Sequence, residues 1–200
     1  MTEWINNNWI EVIGAILAFF YLILEIKGKW LFWIVGIISS AFYVYIFFNA
    51  GLYAEMGLNF YYIFMSIYGL YCWKFSSKKS DENLGFHHIN NKTTFALLFL
   101  FIILLGTVLF ALFQFSDSKV PVPDALIATL SIIATWMAAK KIVECWYIWI
   151  FANFLATGLY VYQNLYPTAV LFTVYSILSF VGLIEWLKIV KYNDSSHTKL

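Results

Sequence analysis

Seven apolar stretches, at about residues 9–26, 30–48, 57–73, 95–115, 125–139, 146–163 and 168–187, fill most of this 200-residue chain. About 20 residues of helix cross a hydrocarbon layer of about 30 Å, and most of these stretches come near that length. The chain is 62% hydrophobic and 12% charged, against about 25% charged in a soluble domain. A single core of this size cannot hide so much apolar surface. Lipid is therefore the expected solvent, and the expected fold is an all-α membrane protein of seven transmembrane helices in one integral domain spanning 1–200. The fifth stretch is short and carries Thr129, Ser131 and Thr135, so it reads as an interior helix.

The charges orient the bundle. There is no arginine, and the lysines are unevenly placed. Counted over alternate loops, one side holds Lys27, Lys29, Lys74, Lys78, Lys79, Lys92, Lys140, Lys141, Lys188, Lys191 and Lys199, and the other only Lys119. The positive-inside rule makes the lysine-rich side cytoplasmic. The N-terminus is then outside and the C-terminus inside, which requires an odd number of crossings. The opening "MTEWINNNWIEV" has no basic n-region and does not read as a cleaved signal.

Composition excludes several functions. A net charge of +1 offers nucleic acid no general attraction. Cys72 and Cys145 form no C-x-x-C pair, and His87, His88 and His197 fall in polar loop or tail. No metal, cofactor or catalytic cluster at membrane depth is expected, so an intramembrane enzyme is disfavoured. No G-x-x-x-x-G-K-[ST] loop is present for ATP, and no acid lies deep within a stretch to relay protons. A channel or sensor has no use for the aromatic face described below.

The chain also repeats itself. "LYAEMGLNFYYIFMSIYGLYCW" (52–73) aligns without gaps to "LYPTAVLFTVYSILSFVGLIEW" (165–186), matching Leu52, Tyr53, Leu58, Tyr62, Ser66, Gly69, Leu70 and Trp73 to Leu165, Tyr166, Leu171, Tyr175, Ser179, Gly182, Leu183 and Trp186. Upstream, with small gaps, "WLFW" (30–33) answers "WYIW" (146–149), and Glu11 and Lys27 answer Asp124 and Lys140. Two parallel three-helix copies, at about 9–74 and 124–188, are expected around a linker helix at about 95–115. A 3+1+3 plan of this kind suits a transporter with its site near the repeat interface at mid-membrane.

The stretch "KKIVECWYIWIFANF" (140–154) concentrates the chemistry. Trp146, Trp149 and Asn153 fall at i, i+3 and i+7 on one helical face, and Tyr160 continues that face. Two indoles and an amide make a flat, electron-rich wall with one donor–acceptor group, suited to a planar cation. Tryptophan also collects at membrane interfaces in general. An amide in mid-helix serves either as glue between helices or as a ligand contact. Thr129 and Ser131 are either further contacts or small packing residues. Glu144, three and four residues after the two lysines, is expected to pair with them. In this alignment the position equivalent to Asn153 falls at Gly36 or Ile37, so the polar hook belongs to the second copy alone.

The run K-K-x-x-E-x-W-x-x-W-x-x-x-N, with the "EVIGA" opening and the "GLIEW" close, resembles the signature of PnuC-type vitamin transporters, bacterial relatives of the SWEET sugar carriers. The resemblance covers essentially the whole chain. It implies a carrier in the bacterial inner membrane. Uptake of nicotinamide riboside would proceed by facilitated diffusion, and a separate intracellular phosphorylation would trap the product. Thiamine is the alternative cargo, riboflavin a third in the same family. It implies substrate contacts from Trp146, Trp149, Asn153, Tyr160, Thr129 and Ser131, and no cofactor. Expected partners are the small cationic aromatic vitamin, the lipid bilayer and, as an open option, further copies of the chain. Cys145 departs from the family, which carries Asn there in its nicotinamide riboside carriers.

The lysine asymmetry generates a direct test. In a cysteine-free background, Asn49→Cys is expected to react with an impermeant thiol reagent added to intact cells, and Ser80→Cys only after permeabilisation. The reverse pattern would invert the bundle.

Overall fold

The computed structural model describes residues 9–50, 53–74, 85–116 and 120–197. Leu52, Lys78, Lys79, Lys119, Lys199 and the Glu11 side chain, all used above, lie outside that description. Each apolar stretch is a helix: α1 (Trp9–Ile26), α2 (Leu31–Ala50), α3 (Tyr53–Lys74), α4 (Asn91–Phe115), α5 (Pro121–Ala139), α6 (Cys145–Tyr162) and α7 (Tyr166–His197). Among the described residues there is no strand beyond one isolated bridge. By length and composition α4, α5, α6 and Thr168–Tyr192 of α7 are able to cross a membrane, and Leu31–Tyr45 of α2 is a shorter apolar helix.

Local chemistry sets the helix ends. The Asn90 side chain accepts the Thr93 N–H at 2.8 Å and so caps one of the orphan donors of α4. Pro121 and Pro123 stand in the first turn of α5, where no intrahelical N–H is required, and Asp124 places its charge against the positive end of the dipole. The helix thus begins at Pro121, with Val120 as its N-cap residue.

Two compact units are present, one holding α1–α3 and the other α4–α7. Within the first, α2 packs on α1 and α3; within the second, α5 packs on α4 and α6, and α6 on α7. Half of the apolar window of α5 is buried and none of that of α4 is. The hydroxyls and alanines of α5 therefore mark an interior helix, as its composition suggests. Ser131 and Thr135 return their hydroxyl protons to Ile127 O (2.9 Å) and Ser131 O (2.7 Å), which satisfies the donors and leaves each oxygen as an acceptor.

Both units are built on one device. Trp33 of α2 and Trp146 of α6 are each 0% exposed. A methyl group built on Gly69 of α3 would land inside the Trp33 ring, and one on Gly182 of α7 inside the Trp146 ring. Each indole therefore fills a notch that only glycine leaves open. Each also meets a second tryptophan edge-on: Trp73 at 6.2 Å and 78°, Trp186 at 5.3 Å and 89°.

These pairs correct the alignment of the two copies. The match of Trp33 to Trp146 keeps the same 113-residue offset as Gly69 to Gly182, with no gap. Gly28 (φ 61°) and Lys141 (φ 59°), the left-handed residues of the α1–α2 and α5–α6 turns, obey that offset too. Trp33, not Trp30, therefore answers Trp146. Trp30 stands outside the core with Lys74 Nζ 4.5 Å from its ring. The shared W-x-x-W spacing misled because it paired a buried tryptophan with a peripheral one. The position equivalent to Asn153 becomes Ser40.

The notches yield a stability series. Gly182→Ala and Gly69→Ala should each lower stability by about 1–3 kcal/mol through overpacking. Gly106→Ala and Gly158→Ala, whose added methyl groups meet nothing within 4 Å, should be neutral or stabilising by up to about 1 kcal/mol. Thermal unfolding in detergent would show the split.

Candidate substrate-binding site

With the register corrected, the second unit can be compared residue by residue with the first. Trp146 belongs to the shared scaffold, since Trp33 is held the same way. The other candidates are departures. Thr129 replaces Ile16, Ser131 replaces Ala18, Trp149 replaces Gly36, Asn153 replaces Ser40 and Tyr160 replaces Phe47. Each substitution adds a polar group to an apolar or small position.

The exchange at Trp149 is compensated across helices. In the first unit a methyl group on Gly36 would lie 3.1 Å from the Tyr21 ring and 2.8 Å from Ser66 Oγ. Tyr21 of α1 occupies the space that Gly36 leaves. In the second unit the tyrosine position is Ala134, fully buried, and the glycine position carries the indole. Large and small residues have changed helices, so the aromatic group now projects from α6.

The faces of α6 separate cleanly. Tyr147, Phe151, Phe154, Val161 and Tyr162 are exposed along one side, and Trp146, Ala152, Asn153, Ala156 and Leu159 are buried along the opposite one. Trp149 and Tyr160 sit in the middle of the buried side and are nevertheless only half-buried. Their exposed parts therefore lie on the same side of α6 as its buried residues, away from the apolar outer surface.

Hydrogen bonding fixes what is on offer there. The Asn153 amide nitrogen donates to Ser179 Oγ at 3.2 Å, and Ser179 Oγ donates its only proton to Tyr175 O at 2.8 Å. Because Ser179 can only accept from Asn153, the amide must present its nitrogen to Ser179 and turn Oδ1 away. Asn153 thus joins α6 to α7 and keeps an acceptor in hand. Thr129 Oγ1 and the Nε1 groups of Trp149 and Trp146 are buried with no hydrogen-bond partner among the described residues. Trp33 Nε1 shares that condition, so in Trp146 it is a property of the notch. In Trp149 and Thr129 it has no counterpart. The structure joins neither Thr129 nor Trp149 to Asn153 by a hydrogen bond. Tyr160 stacks at 5.0 Å on Phe172 of α7. No group of three or more metal-ligating side chains occurs among the described residues.

Glu144 does not pair with Lys140 or Lys141 as its spacing suggested. Its carboxylate accepts from His88 Nδ1 at 2.8 Å and from the Ile89 N–H at 2.9 Å. Lys141 cannot follow the helical rule, because its left-handed backbone ends α5 and turns its side chain towards the Phe86 ring, 6.0 Å away. His88, read from the sequence as a solvated loop residue, remains largely exposed but is held. No period or motif in "GFHHIN" signals that contact.

A family model described as nicotinamide mononucleotide transporter matches residues 8–188. The chain belongs to that family. Among curated relatives of this family member, the nicotinamide riboside transporter PnuC of Escherichia coli (strain K12) is 20% identical over 212 residues, covering 94% of this chain and 89% of its own. That of Neisseria mucosa is 24% identical over 92% of this chain and 74% of its own. A solved structure, described as a crystal structure of the vitamin B3 transporter PnuC, shares the fold with a TM-score of 0.73 at 21% identity, covering 94% of this chain and 84% of that one. Family membership and four membrane-length apolar helices make it a multi-pass membrane protein.

The division between scaffold and departure is testable. Trp146→Ala and Trp33→Ala should both destabilise by about 3–5 kcal/mol, as fully buried large side chains do. Ser179→Ala should cost about 1–3 kcal/mol by stranding the Asn153 nitrogen. Unfolding midpoints of the purified variants would measure both.

Proposed function

We propose that this protein carries nicotinamide riboside into the cell across the bacterial inner membrane by facilitated diffusion, with trapping by a separate phosphorylation. In this reading the two three-helix units are parallel repeats, α4 is the linker, and the lysine-rich face is cytoplasmic. The observation that carries it is the set of departures of the second repeat. Trp149 and Thr129 each add a buried polar atom with no partner among the described residues, an N–H and a hydroxyl, and Asn153 adds an acceptor turned away from Ser179.

That inventory fits the cargo named for the relatives. A pyridinium ring is flat and cationic, and stacks on an indole with about 0.5–2 kcal/mol per contact. A ribose supplies hydroxyls and a carboxamide supplies both donors and acceptors, so these three atoms have partners in the substrate. Leaving them unpaired costs free energy, which favours a polar ligand over a merely apolar one. Trp146 acts by holding the wall in place, and Trp149, Asn153, Thr129 and Tyr160 by touching the substrate; Ser131, two residues on from Thr129, points to another face of α5. Nothing in this scheme requires a cofactor or a catalytic group.

The test is flux and binding with purified protein. In liposomes, saturable uptake of nicotinamide riboside should stop when inside and outside concentrations match, with or without a proton or sodium gradient. Trp149→Ala should weaken binding by about tenfold or more with little change in stability. Accumulation above equilibrium would overturn the uncoupled mechanism. Saturable uptake of thiamine with none of nicotinamide riboside would overturn the substrate.

A further inference from the structure

Glu144 occupies the N-cap position of α6 but makes no side-chain cap there. Both its oxygens are engaged with a segment 55 and 56 residues earlier in the chain. That segment, Phe86–Ile89, runs parallel to Lys141–Val143. The His87 N–H donates to Lys141 O at 3.2 Å and the Val143 N–H donates to His87 O at 3.1 Å, so the backbone is bridged on both sides of Ile142. Phe86 packs on Trp186 at 4.4 Å, and Trp186 stands edge-on to Trp146.

Comparison with the first unit shows what the segment supplies. There Trp73, the equivalent of Trp186, is packed by Phe32 at 5.1 Å. The equivalent of Phe32 is Cys145, which is buried and small. The second unit has thus lost the ring that its own α6 would contribute, and Phe86 takes that role from outside the repeat. Glu144 likewise has no counterpart, because its position in the first unit is the exposed Leu31.

We propose that Glu144 is a positioning residue for the substrate wall. It clasps Phe86–Ile89 over the α5–α6 turn, so that Phe86 completes the Trp146–Trp186 cluster and fixes α6 one turn ahead of Trp149. This role rests on the reading of Trp149 and Asn153 as the binding face. His88 assists as a donor, and the Ile89 N–H requires a carboxylate or carbonyl oxygen opposite it. The surrounding charges do not replace the clasp: Glu185 is held by Lys188 at 2.6 Å, and Lys140 and Lys141 are cations that cannot accept.

The experiment uses the full-length protein. Glu144→Gln keeps the shape and an acceptor for the Ile89 N–H but loses the charge, so that His88 stays only as a neutral ring accepting from the new amide. It should speed hydrogen exchange at the His87 and Val143 amides by about tenfold and weaken nicotinamide riboside binding by about threefold to tenfold, since hydrogen bonds to a charged group are among the stronger ones. His88→Ala should do the same in smaller measure, and His88→Gln, which restores a donor, should recover most of the loss. Recovery would set a positioning contact apart from general destabilisation. Unchanged exchange or unchanged affinity in Glu144→Gln overturns the proposal, as does failure of His88→Gln to improve on His88→Ala. Trp149→Ala is measured alongside. A loss there with none in Glu144→Gln sinks the clasp and leaves the site. Wild-type protein that binds no nicotinamide riboside sinks the site and the positioning role together, while the exchange arm still decides whether the clasp exists.

Discussion

An indole seated in a glycine notch is the contact on which each unit depends. In lipid, hydrophobic burial gives little reason for helices to associate, so close packing and a few hydrogen bonds must hold them. Gly69 and Gly182 let α3 and α7 approach α2 and α6 until a whole tryptophan fills the gap. Once Trp33 and Trp146 are seated, the rotation of α2 and α6 is set. That rotation decides which side chains face lipid and which face inward. The outer row of Tyr147, Phe151 and Phe154 and the inner placement of Trp149 and Asn153 follow from the same choice.

The second unit carries more than this scaffold. Its α5 is small and hydroxylic where α1 is bulky, and its α6 has acquired an indole and an amide where α2 has Gly36 and Ser40. Such changes leave the notch intact because they lie on the turns beyond it. A polar hook at Asn153 is tolerable in a membrane because Ser179 satisfies its nitrogen within the bundle. The helix joined to Asn153 is α7, the same helix that supplies Gly182. Site and scaffold therefore share an element, and a disturbance of one is felt by the other.

Much of this was legible in the sequence, for particular reasons. Apolar length counted the seven helices but did not find all their ends: α4 and α5 begin at Asn91 and Pro121, ahead of their apolar stretches, and the polar end of α7 runs on to His197. The interior character of α5 was legible from Thr129, Ser131 and Thr135, because hydroxyls on a lipid face are costly. The tryptophans were harder. W-x-x-W recurs in both copies with the same spacing, and spacing cannot say which indole is enclosed. The glycines could have decided it: Gly69 and Gly182 were already aligned, and the tryptophan at a matching offset from each is the seated one. The partner of Glu144 was illegible. Helical spacing favoured the lysines, while the true contact joins residues far apart in the chain through an irregular segment with no period to read.

The left-handed residue in each helical hairpin has a consequence for motion. In the α1–α2 turn it is Gly28, which adopts that backbone without strain, and the turn is closed by its own short bonds to Glu25 O and Leu24 O. In the α5–α6 turn it is Lys141, a residue for which the same backbone is uphill by about 1–2 kcal/mol. Lys141 is kept there by bonds on both flanks, its N–H to Ala138 O and its carbonyl from the His87 N–H. The α5–α6 turn repeats the two closing bonds of the α1–α2 turn and adds only the one from His87. An uphill backbone held from outside is released when its holder leaves, while Gly28 has no such strain to release. The hairpin that leads to Trp149 and Asn153 therefore leans on the Phe86–Ile89 segment for its shape, and the one that leads to Gly36 and Ser40 keeps its own.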